Sequence, residues 1–362
     1  MKIAANFAVS LVALGALLGG TASQATNLAE LPLKAAVLAK PNLVYGIDDS
    51  GSMDWEILIS SGSGVMWWDD SAHTGWDTGI GKPRFGGSGD RYTYLFPVGW
   101  IIAASPAGDA PGGGIYGSNE TWYKAAPPTP QFAWLRSAKF NPQYYDPSID
   151  YKPWAPGYFD SSLQSFSDSP PTAAKIHPTE PGAPTINLTQ DWNETNAGTK
   201  WTAAGYRFYV DPGMKVPASS RLVASSTTSG ACDGSTTRTI TSELTVANGE
   251  QCFASIPYYP ATYWHAENCT VDGSTCVTAP DGTTKLRRYE IKTGNTFPSG
   301  RTYAAEMQNF ANWFTYYRKR KLSLAGSMGA VLENLTGVRM GTLRFSQATL
   351  STPPAITMYD AD

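Results

Sequence analysis

Three side chains in one short segment have the makings of a metal site. Asp48, Ser50 and Ser52 stand in the order D-x-S-x-S within Asp48-Asp49-Ser50-Gly51-Ser52-Met53. One carboxylate and two hydroxyls are hard oxygen donors, suited to Mg²⁺, Ca²⁺ or Mn²⁺. A sharp turn would aim all three at a common point. The same residues also suit a plain polar turn, in which Asp48 or Ser50 accepts from nearby backbone N–H groups. Taken alone, they leave both readings open.

The other chemically capable groups are scattered. Asp69, Asp70, Asp90 and Glu267 are candidates for the paired carboxylates of a glycosidase, but no motif selects two of them. There is no G-x-S-x-G elbow, and Gly86-Gly87-Ser88-Gly89 lacks the Lys-Ser/Thr ending of a phosphate-binding loop. His73, His177 and His265 show no metal-ligand spacing and read as surface residues. The expected chemistry is therefore binding, not catalysis. Cys232, Cys252, Cys269 and Cys276 contain no C-x-x-C and lie in one Thr/Gly-rich stretch. They read as two local disulfides, Cys232–Cys252 and Cys269–Cys276, in an oxidising compartment.

A metal loop needs a strand to carry it. Leu43-Val44-Tyr45-Gly46-Ile47 is apolar without alternation, which predicts a strand near 42–48 buried on both faces. The loop would then lie outside the carboxyl end of that strand, where open α/β sheets bind ligands. Met307, Phe310, Phe314, Tyr317, Met328 and Leu332 fall on a helical period. They predict an amphipathic helix over 302–335, kinked at Gly326 or Gly329 and closed by Gly337. Arg318-Lys319-Arg320-Lys321 inside it reads as a solvated turn. A second strand is expected near 338–345.

Between the loop and the helix, residues 54–301 show no long helical period. Gly/Pro clusters punctuate short strand-like runs such as Tyr92–Phe96 and Tyr206–Val210, and 161–184 reads as a linker or long surface loop. Trp67, Trp68, Trp122, Trp134, Trp154, Trp192, Trp201 and Trp264 all lie in this stretch. Core packing is the expected use of these rings, and a sugar-stacking platform is the alternative. A secreted carbohydrate-binding or carbohydrate-active protein is thus the second functional reading.

Composition narrows the classes. Charged residues make up 16% of the 362, and the net charge is −3, so no basic field exists to grip nucleic acid. Lys2, the apolar run Ile3–Leu18 and Ser23-Gln24-Ala25 read as a signal peptide over 1–25, with a linker over 26–41. No later segment is long and apolar enough to cross a bilayer.

The strand-DDSGSM segment resembles the metal-ion-dependent adhesion site of von Willebrand factor type A domains. Three further segments resemble the PilY/PilC-type proteins of bacterial type IV pili. These are Pro41-Asn42-Leu43-Val44, the aromatic-Pro stretch Phe140–Pro147 continuing to Tyr151-Lys152-Pro153-Trp154, and Glu306–Phe314. The resemblance implies an exported factor working with the minor pilins at the pilus tip, in pilus assembly, surface attachment and twitching motility. It also implies a Rossmann-type α/β sheet, interrupted by a β-rich, loop-rich insertion over 54–301 and resumed at 302–362. Asp48, Ser50 and Ser52 would hold a divalent cation (Mg²⁺ or Ca²⁺). The Thr and Asp that complete the family's site, and its C-terminal β-propeller, have no counterpart here. The chain is expected to be the N-terminal part of a longer protein that ends inside the domain.

Overall fold

The first apolar run forms β1 (Asn42–Ile47), which pairs in parallel with β2 (Val338–Arg344), Asn42 opposite Arg339 and Ile47 opposite Arg344. β3 (Tyr359–Ala361) adds to the far edge of β2 in antiparallel register. A parallel pair requires a crossover of a dozen residues or more, and here the crossover is everything from Asp48 to Gly337. The computed structural model describes residues 40–86, 90–97, 124–159, 162–179, 183, 185–192, 208–223, 238–250, 252–344 and 356–361. The expected signal peptide, most of the linker, Cys232, Trp122 and Trp201 lie outside them.

Backbone contacts divide the chain into two units, Met1–Ile47 with Leu335–Asp362, and Asp48–Asn334. In the first, β1 is not buried on both faces as its composition suggested. Its residues alternate between exposed and half-buried, and Val44 is 50% exposed. The described residues of this unit include no helix.

Among its described residues, the second unit combines small sheets of two to four strands with two α-helices, α1 (Tyr303–Tyr316) and α2 (Arg320–Leu332). The Thr302 hydroxyl caps α1 by accepting from the Ala305 N–H. The helical period holds across 303–332, but the predicted single helix is broken. The break falls at Tyr317–Lys319, where Lys319 takes an extended conformation (φ −102°, ψ 151°), and neither Gly326 nor Gly329 kinks the chain. Gly326 serves close approach instead, since a Cβ there would sit 2.6 Å from the Tyr317 ring and 2.9 Å from Trp154 Nε1. Gly337 does adopt a left-handed φ of +73°, but five residues beyond the end of α2, where it turns the chain into β2.

The aromatics of this unit fill its interior. Trp68, Trp76, Trp134, Trp154, Trp192 and Trp264 are buried, and Trp67 is half-buried. Trp313 of α1 packs edge-on against Tyr144, with centroids 4.8 Å apart, and Phe310 lies 5.0 Å from Tyr145. Each such side chain contributes roughly 1.5–3 kcal/mol on burial. The polar edges are matched as well: Trp313 Nε1 donates to Gln143 O, and Asn309 Nδ2 to Tyr145 Oη and Ile149 O. The stretch 140–154 therefore wraps α1 through specific hydrogen bonds. Within the Ser/Pro-rich 161–184 region, the described residues 162–179 form no loose linker. Ala174, Ile176 and Ser169 are buried, and Ser169 Oγ lies 2.7 Å from Thr315 Oγ1.

Candidate functional site

Asp48 follows β1 directly in the chain, and Gly51–Asp54 then forms one turn of 3₁₀ helix. Asp48 Oδ1 accepts from the Ser50 N–H at 2.9 Å, so the carboxylate folds the segment back on itself. The Ser50 and Ser52 hydroxyls lie 2.9 Å apart, Ser50 exposed and Ser52 half-buried. All three candidate ligands are thus on one tight turn, and the two hydroxyls meet. Among the described residues, no three His, Cys, Asp or Glu side chains come together as a metal cluster. The donor set that Asp48, Ser50 and Ser52 offer is hard and singly charged. It suits an oxygen-seeking divalent cation but provides half a shell.

What holds this turn is absent from the sequence reading. Asp54, its last residue, is 4% exposed, and Lys319 Nζ donates to its Oδ2 at 2.8 Å. Lys321 Nζ stands 2.6 Å from its Oδ1. Two residues on, Glu56 is 1% exposed and accepts from Arg318 Nε at 2.7 Å and from the N–H groups of Leu95 and Phe96. Arg318 also donates to the carbonyls of Phe314 and Ile176. The Arg-Lys-Arg-Lys run is therefore not a solvated turn, since Arg318 and Lys319 are fully buried. The helix breaks there because an unbroken α-helix cannot aim successive side chains at one loop. Arg320 adds bonds to the Ile57 and Gly64 carbonyls.

Electrostatics follow the burial. Desolvation works to raise the Asp54 carboxyl, yet the Lys319 and Lys321 ammonium groups prevail and hold it below the usual carboxylate value. Burial lowers Lys319, with Asp54 opposing. His177 is buried rather than a surface residue, and burial together with Lys321 and Lys319 pushes it down to about 3, leaving it neutral at pH 7.

The glycosidase candidates do not assemble into an open pair. Asp69 accepts from the Ser71 and Ala72 N–H groups and pairs with Arg84 at 2.6 Å. Glu267 accepts from Tyr289 Oη and pairs with Arg287. Asp90 contacts Lys124, whose ammonium also lies 3.2 Å from Asp211 Oδ1, and Tyr92 Oη donates to Asp211 Oδ2 at 2.6 Å. Asp70 stands close enough for the Asp90 charge to raise its carboxyl, after burial has done most of that work. Asp211 is fully buried; desolvation, aided by the Asp90 charge and opposed by the Lys124 ammonium, pushes its carboxyl up to about 7. No motif marked Lys124 or Asp211, because a buried ion pair leaves no periodic trace in sequence.

Cys269 and Cys276 are joined in a disulfide, and Cys252 is disulfide-bonded as well. Among the described residues, no helix is long and apolar enough to cross a membrane. In comparison with known proteins, no family model matches the chain, and no curated protein or solved structure matches it either.

Proposed function

We infer that this chain is an exported type IV pilus biogenesis factor and tip-associated adhesin, acting through a metal-ion-dependent adhesion loop. The observation that carries the reading is the convergence of the Ser50 and Ser52 hydroxyls at 2.9 Å on a turn that Asp48 closes, directly after a strand of a parallel pair. That is the place where α/β sheets take ligands. Further support comes from the packing of two segments that carry the resemblance, 140–154 and 306–314, against one another through Trp313 and Asn309.

In this reading Asp48, Ser50 and Ser52 hold a Mg²⁺ or Ca²⁺ ion, which gives an acidic group on the pilus complex or the adhered surface a point of attachment. Asp48 supplies the charge and the serines supply neutral oxygens. Asp54 stays paired with Lys319 and Lys321 and fixes the turn from below. The fold that goes with it is a von Willebrand factor A-like sheet begun by β1 and β2.

The test is genetic and calorimetric. Deleting the gene should abolish piliation or twitching, and a copy carrying Asp48→Ala should restore pili without restoring attachment. The purified Asp48→Ala protein should lose Mg²⁺ binding at unchanged melting temperature. Normal pili and motility in the deletion strain would overturn the reading.

A further inference from the structure

We propose that a cavity on the Asp48–Asn334 unit, remote in chemistry from the metal loop, binds a saccharide ring. The cavity is about 300 Å³, at the lower end of the range for small-molecule sites. It arises from a strand pair. Thr262–Ala266 and Lys285–Glu290 run antiparallel, with Thr262 opposite Glu290 and Trp264 opposite Arg288. Side chains alternate along a strand, so these four share one face, and all four line the cavity. The alternate residues Tyr263 and Tyr289 stack on the other face, where Tyr263 Oη donates to Glu306. Pro257 and Tyr258 continue the apolar wall, and Asp191 stands at the rim.

The polar groups are held in place. Lys292 Nζ lies 2.7 Å from Glu290 Oε2 and 3.5 Å from Asp191 Oδ1, tying both carboxylates to one ammonium. Arg288 Nη2 reaches Glu290 Oε1 at 3.6 Å and remains 37% exposed. Carboxylate oxygens accept from hydroxyls and the guanidinium donates to them, while aromatic and proline walls take an apolar C–H face. A pyranose carries both kinds of surface. A phosphorylated ligand would have to draw Arg288 from Glu290, or draw the buried Arg136, which also lines the cavity, from the Pro127, Leu95 and Ala126 carbonyls to which it donates. A purely apolar ligand would strip water from the Asp191, Glu290 and Arg288 charges and offer no hydrogen bond in its place. The room suits a single ring, too little for a stretch of folded peptide.

This site does not depend on the adhesion reading, and the test separates the two. Saturation-transfer NMR on the full chain, with D-glucose, D-galactose, D-mannose and N-acetyl-D-glucosamine as probes, should show binding of at least one sugar, with Kd on the order of 1 mM. Arg288→Ala and Glu290→Gln should each weaken it, by about tenfold for Arg288, with circular dichroism unchanged. EDTA should have no effect. Absence of transfer to every one of these sugars, unaltered affinity in both variants, or loss of binding in EDTA would each overturn the assignment.

Discussion

Asp54 shows how much a single residue can settle. It sits in the motif's shadow, two positions after Ser52, and its carboxylate is the anchor for the turn. Two ammonium groups meet it in a nearly dry setting. Such a pair adds little net stability over a well-packed apolar substitute, but removing one partner leaves an uncompensated buried charge. Asp54→Asn should therefore cost roughly 3–5 kcal/mol, measured by urea unfolding. It should also weaken the Mg²⁺ binding proposed for the loop, because Ser52 loses its fixed support. Asp48→Ala, by contrast, removes a half-buried side chain whose bond to the Ser50 N–H is exposed, and should cost less than 1 kcal/mol in stability.

At the scale of elements, the break between α1 and α2 is the informative feature. The helical period reads correctly from 303 to 332, because it depends on neighbours three and four residues apart. The break does not, because it answers to Asp54 and Glu56, more than 260 positions away. Gly326 is also set by distant neighbours, Trp154 and Tyr317. Gly326→Ala would gain helix propensity yet push a methyl into both rings. The overpacking term should prevail, giving a net destabilisation of about 1–3 kcal/mol, seen as a lower denaturation midpoint at unchanged m-value. A gain in stability would mean the contact is looser than described.

For the molecule as a whole, the buried ions and the neutral His177 set an acid limit. The His177 value in the fold lies near 3, against 6.5 unperturbed. An unfolded chain therefore takes up a proton that the fold refuses, and stability falls as pH drops from about 6.5 toward 3. The depressed Asp54 carboxyl adds a loss below the ordinary carboxylate value of 3.8. The melting temperature of the wild type should fall more steeply through this window than that of His177→Asn, by calorimetry. Parallel curves for the two proteins would show that His177 is not the proton acceptor.

Local order decided what the sequence could determine by itself. The D-x-S-x-S turn, the strands near 42 and 338, the helical period and the aromatic nature of the core are all encoded within a few residues of one another. Tertiary structure alone decided that Arg318 and Lys319 are buried under the acidic loop, that Ser169 and Lys175 bond to Thr315 of α1, and that Lys124 lies between Asp90 and Asp211. The reason is physical. A lysine paired with a carboxylate in the interior and a lysine in water have the same sequence neighbours. They differ only in desolvation and in a partner brought close by the fold.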